Sequence, residues 1–153
     1  MDKAGVEYVC NNYDDKYIDF NNYLIKYFKI LKFGNGRAGE SCTLGYDYKL
    51  LDEKTNEQNF RDSDIHKIYL ADGSVFGMWL YEKCRTNTEC GLVGIDVNGE
   101  GKGPNQWGRD TFVFRLRPNG HLVAEELNQW FDCESNGFGC ADRIIKNGWK
   151  MDY

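Results

Sequence analysis

The sequence has no apolar run approaching the roughly 18 residues of a membrane-crossing helix. Its opening, MDKAGVEYVCNNYDDKY, is polar and acidic and has none of the pattern of a secretory signal peptide. Clustered positive charge is missing too. The 19 Lys and Arg are scattered, with no run longer than two, against 24 Asp and Glu, for a net charge of −5 and a pI of about 5.1. Nucleic acid is therefore not expected as a partner, because displacing counterions from phosphates takes clustered Lys and Arg. Several catalytic signatures are absent as well: there is no Gly-Lys-Ser/Thr phosphate loop, no GxSxG elbow and no HExxH zinc motif. No CxxC pair occurs, and both histidines, His66 and His121, lie far from any cysteine, which argues against a zinc ribbon. No internal repeat or low-complexity linker is visible.

What remains is a chain of 153 residues, 41% hydrophobic and 15% aromatic, which suits a single domain over 1–153 with a core of its own. Its six cysteines stand at positions 10, 42, 84, 90, 133 and 140. An even count without metal-ligand spacing reads as a disulfide set in an oxidising compartment, the alternative being buried thiols in a cytosolic protein. Six cysteines allow 15 pairings. The local pairs Cys84–Cys90 and Cys133–Cys140 are expected, which leaves Cys10–Cys42 by elimination.

Residues 14 to 32 read as a helix, with Tyr17, Phe20, Leu24, Tyr27, Phe28 and Leu31 on one stripe and Gly34-Asn35-Gly36 as the stop. Residues 34 to 64 are irregular. A hairpin follows, IHKIYLA and SVFGMWLY around Asp72-Gly73, where Asp-Gly suits a two-residue type I′ turn. GLVGID, DTFVFRLR and HLVAE read as further strands, and Val113, Arg115 and Arg117 alternate with apolar residues to give one largely polar face. CADRIIK forms one or two helical turns, stopped by Asn147-Gly148. A helix first and a hairpin-built sheet later give an α+β fold, the N-terminal helix packed on a small antiparallel sheet.

The stretch IDVNGEGKGPNQWGRDTF, residues 95 to 112, carries the main functional question. Its four glycines do not form a phosphate cradle, because a strand rather than a helix follows. Asp96, Asn98 and Glu100 at alternate positions, with Gly101 next, imitate the first half of an EF-hand loop. The twelfth position is Trp107, however, where a bidentate Glu belongs. Two readings stay open. Asp96, Asn98, Asn105 and Asp110 converge on a calcium ion if the loop folds back, or Asp96 and Asp110 accept backbone N–H groups and hold a structural turn shut.

The same stretch, extended to IDVNGEGKGPNQWGRDTFVFRL, resembles the D-x-N-G…G-P-N…G-x-D-x-F-x-F segment of bacterial type IV pilin-like proteins, pseudopilins included. IYLADGSVF resembles the hairpin that precedes that segment, and CESNGFGCADRIIKNGWKMDY resembles the C-terminal ending. The three occur in the matching order and cover roughly residues 65 to 153. Those proteins begin with a basic leader, a cleavage glycine, a glutamate and a long apolar helix. This chain begins MDKAGVE instead, so a chain lacking its membrane-anchoring helix is expected.

The resemblance implies a pilin-like fold in which part of the N-terminal helix lies across the sheet and Cys133–Cys140 pins the C-terminal loop. It implies no catalysis. The partners would be other pilin-like subunits in a filament, at a bacterial cell surface or in the periplasm, with membrane contact only through the missing helix. It also draws attention to calcium at Asp96, Asn98, Asn105 and Asp110. Two rival classes remain. A secreted enzyme would use paired carboxylates such as Glu125 and Glu126, or Asp96 and Asp110; His66 and His121 stand beside turns and are expected to be exposed rather than catalytic. A secreted binding or adhesion module would use exposed aromatics among Trp79, Trp107, Trp130 and Trp149.

Overall fold

The computed structural model describes residues 7–8, 22, 24–35, 48–54, 66–85 and 89–153. Among them, seven strands form one sheet in chain order: β1 (Glu7–Tyr8), β2 (Ile30–Asn35), β3 (His66–Leu70), β4 (Val75–Arg85), β5 (Glu89–Asp96), β6 (Thr111–Leu116) and β7 (Leu122–Ala124). β1 is parallel to β2, and every other neighbouring pair is antiparallel. A short helix, α1 (Cys140–Lys146), follows the sheet and ends where Gly148, at φ +65°, takes the left-handed conformation expected of it.

The expected α+β architecture, an N-terminal helix over 14 to 32 packed on the sheet, is overturned. Residues 22 and 24 are helical, but the chain turns at 25–28 and enters β2 at Ile30. Residues 14–21 lie outside the described residues. The stripe failed for a physical reason. Its members Tyr27 and Leu31 are 66% and 55% exposed, while Ile30 and Phe33, off the stripe, are buried in the core. Ile30 pairs with Leu70 and Phe33 with Ile68, with a register shift between Ile30 and Lys32. A bulge absorbs one residue and turns two side chains three apart onto the same face. Three-residue spacing, the signature of a helix, is produced here by a bulged strand.

The β3–β4 turn also departs from expectation. The Leu70 N–H donates to the Ser74 carbonyl at 3.0 Å, which leaves residues 71–73 in the loop, and of these Gly73 alone has a positive φ, +96°. A type I′ turn needs positive φ at Asp72 as well. Asp72 instead uses its carboxylate to accept the Ser74 N–H and hydroxyl, at 2.9 and 2.7 Å.

Cross-strand partners share a face, so the register sorts the side chains. On one face Phe33, Ile68, Leu70, Met78 and Val93 form a core, with Leu24, Ile25, Phe76, Leu80, Ile95 and Leu116 packed against it. The opposite face carries the row Lys67, Gly77, Gly94, Val113 and the row Tyr69, Val75, Asp96, Thr111. This face, read from the sequence as largely polar, is covered. Val113 belongs to a second core with Tyr48 and Trp107, flanked by Leu50, Trp79, Leu92, Phe131 and Phe138. Disulfides Cys84–Cys90, between β4 and β5, and Cys133–Cys140, at the start of α1, form as expected. Cys10 and Cys42, and the bond expected between them, lie outside the described residues.

Candidate functional site

β5 ends at Asp96 and β6 begins at Thr111, and the two residues are cross-strand partners. The 14 residues between them leave the sheet and return, and the Val97 N–H donates to the Asp110 carbonyl at 2.9 Å to close the neck. Asp96 is fully buried. Its Oδ1 accepts the N–H groups of Asn98 and Gly99, at 3.1 and 2.7 Å, and its Oδ2 accepts the Tyr48 hydroxyl at 2.7 Å. Asp110 is buried at the other end. Its Oδ2 accepts the Asn105 N–H at 2.8 Å, and its Oδ1 accepts the Gln106 N–H at 2.7 Å and the Thr111 hydroxyl at 3.3 Å. The asparagines tie the middle: Asn98 Nδ2 donates to the Gly103 carbonyl at 3.0 Å and Asn105 Nδ2 to that of Glu100 at 2.8 Å.

Two further anchors hold the loop to the rest of the chain. The Lys49 N–H donates to the Asn105 carbonyl and the Trp107 N–H to that of Lys49, at 2.8 and 2.9 Å. Gln106 Nε2 reaches the carbonyls of Leu50 and Leu51 at 3.0 and 3.1 Å. Glu100 points inward, where one carboxylate oxygen pairs with Lys67 Nζ and the other accepts the Tyr69 hydroxyl at 3.1 Å. Lys67 and Glu100 are both buried. Gly99, at φ +93°, lies so close to the Gly73 carbonyl that a Cβ would collide with it, which fixes the loop against the β3–β4 turn.

Burial pushes the Asp96 carboxyl above its ordinary range, the Tyr48 and backbone donors pull against this, and the charge of Asp110 adds to the rise. Burial also raises the Tyr48 hydroxyl far up, helped by the charges of Glu100 and Asp96. Tyr48 thus stays a neutral donor.

Asp96, Asn98, Asn105 and Asp110 each take part in the hydrogen bonds that hold the loop. The chemistry of the donor set is a poor fit to calcium. All four carboxylate oxygens of Asp96 and Asp110 already accept donors. Asn98 Oδ1 and Asn105 Oδ1 are the buried side-chain oxygens of the loop left without a hydrogen-bond partner. Sequence reasoning missed Tyr48, Lys67, Tyr69 and the inward role of Glu100. No local signal marks them, because each acts through a partner far along the chain.

The residues nominated for an enzyme have other occupations. Glu125 and Glu89 both pair with Arg115. His66, expected beside a turn and exposed, is buried against Phe33, ring centroids 5.7 Å apart, and burial holds its imidazole down to about 3. Of the four tryptophans, Trp107 is core, Trp79 packs beside it, and Trp130 and Trp149 are 72% and 77% exposed. Trp149 borders an apolar groove of about 310 Å³ between the sheet and α1, lined also by Ile95, Phe112, Phe114, Ile144 and Ile145. No helix among the described residues is long and apolar enough to cross a membrane. Comparison with protein-family models, curated proteins and solved structures returns no match.

Proposed function

We propose that this chain is the non-enzymatic globular head of a type IV pilin-like filament subunit, of a pilus or a type II secretion pseudopilus, working at a bacterial cell surface or in the periplasm. One observation carries the reading: the three segments that resemble such subunits meet in a single interlocked unit. Gly99 of the loop seats on Gly73 of the hairpin turn, and Gly137 of the C-terminal segment seats on the Trp107 carbonyl. The Tyr153 hydroxyl donates to the Gly108 carbonyl at 2.5 Å, and the guanidiniums of Arg109 and Arg143 lie 5.6 and 5.2 Å from the centre of its ring. Trp107 packs edge-on against Phe138 at 5.1 Å beside the Cys133–Cys140 bond. Segments that share a resemblance and also a packing unit suit a part whose task is mechanical. Two disulfides suit an oxidising compartment.

On this reading the partners are other pilin-like subunits, and the exposed groove beside Trp149 is a surface available to neighbouring heads. Immunogold labelling of cells producing the protein is the test. Labelled surface filaments, lost when the protein is deleted, are expected. A protein free in the medium, with filaments unchanged by its deletion, would rule the reading out.

The exposure of Trp130 and Trp149 favours a second reading, a secreted binding module that recognises carbohydrate through aromatic faces. Glycan binding that disappears in Trp130→Ala and Trp149→Ala variants would favour this reading over the filament.

A further inference from the structure

The 96–111 loop buries three carboxylates, Asp96, Glu100 and Asp110, and two amide oxygens without a hydrogen-bond partner, those of Asn98 and Asn105, and buried carboxylates call for compensation by charge or hydrogen bonds. We propose that the compensating cation is already built in: the Lys67 ammonium, delivered from β3, fills that role, and the loop closes without metal. Lys67 stands mid-strand on the covered face, in a cross-strand row whose next two members are Gly77 and Gly94. Those neighbours bring no side chain to compete for the space. Its ammonium pairs with Glu100 while Tyr69, two residues on and on the same face, holds the second oxygen, so β3 grips Glu100 twice.

The grip is relayed. The Glu100 carbonyl accepts Asn105 Nδ2, and the Asn105 N–H in turn is held by Asp110 at the loop's far end. Every charge in the cluster is answered without a metal: Glu100 by Lys67, and Asp96 and Asp110 by backbone N–H and hydroxyl donors. A divalent ion entering beside Glu100 would meet the ammonium as a like charge. This inference does not rest on the filament reading.

Thermal unfolding of the non-reduced protein in calcium and in excess chelator tests it first. The two melts are expected to coincide. A site filled at ~100 times its Kd would raise Tm by roughly 5–10 °C in calcium, and such a rise would overturn the proposal. Lys67→Met strands a buried carboxylate and is expected to lower Tm by roughly 10 °C or to prevent folding. The double variant Lys67→Met/Glu100→Gln removes both charges and is expected to recover most of that loss. A double variant no more stable than Lys67→Met would show that charge pairing is not what holds the loop, and would also overturn the proposal.

Discussion

Phe33, Ile68, Met78 and Val93 pack on one face of the sheet with a single imidazole, His66, among them, while the other face carries Lys67, Tyr69, Asp96 and Thr111 beneath a loop that bonds to them. The first face is held by non-directional burial, which tolerates exchange between apolar residues of similar volume. The second adds to its own apolar cluster of Tyr48, Trp107 and Val113 a set of named donors and acceptors, where removing one partner leaves the other buried and unpaired. One sheet thus carries two kinds of cohesion.

The sharpest way to break this contrast is Asp96→Ala. It strands the Tyr48 hydroxyl and two backbone N–H groups, and roughly 4 kcal/mol of stability is expected to go. Asp96→Asn keeps an oxygen for both N–H groups and removes only the acceptor of the Tyr48 hydroxyl, so it is expected to cost roughly half as much, about 2 kcal/mol. Denaturant titration of the two variants decides, and equal losses would mean that directional bonding is not what the polar face uses.

On the apolar face Met78→Ala is expected to cost roughly 3 kcal/mol, against less than about 1.5 for Met78→Leu. A large penalty for the leucine variant would blur the distinction between the faces.

Acid supplies a graded probe, smaller per pH unit than either alanine substitution. An unfolded histidine takes up its proton near 6.5, whereas buried His66 is held down to about 3. Between those values the unfolded chain binds the extra proton, so stability falls as pH falls, by up to about 1.4 kcal/mol per pH unit. Asp96 works in the opposite sense, since its raised carboxyl takes its proton in the folded state first. His66→Phe is expected to flatten the acid limb of a stability-versus-pH curve, and an unchanged slope would refute the assignment.

The smallest effect belongs to neither face. Arg143 pairs with Asp152 in solvent at 2.9 Å, and Arg143→Ala is expected to cost about 1 kcal/mol or less in the same titration.

Much of the sheet was legible. Strands β3 to β7 follow from alternation and from turn residues, both of which act over a few positions. The two local disulfides follow from spacing, and the turn reading of the 95–112 stretch from Asp, Asn and Gly at its ends. β2 was not legible, because the stripe through Leu24, Phe28 and Leu31 imitates a helix, while a bulge sets the core residues Ile30 and Phe33 out of strand alternation. His66 was not legible either, because proximity to a turn says nothing of what packs on a strand's face.

By itself, then, the sequence determined which short segments alternate and where they turn. Each of these is settled by neighbours within a few residues. The tertiary structure alone decided that Tyr48 meets Asp96 across 48 positions and Lys67 meets Glu100 across 33. It also decided that the face expected to be polar is a covered second core. Such pairings depend on strand register and on which loop folds over which face, and a one-residue slip in register would send Lys67 to the opposite side of the sheet.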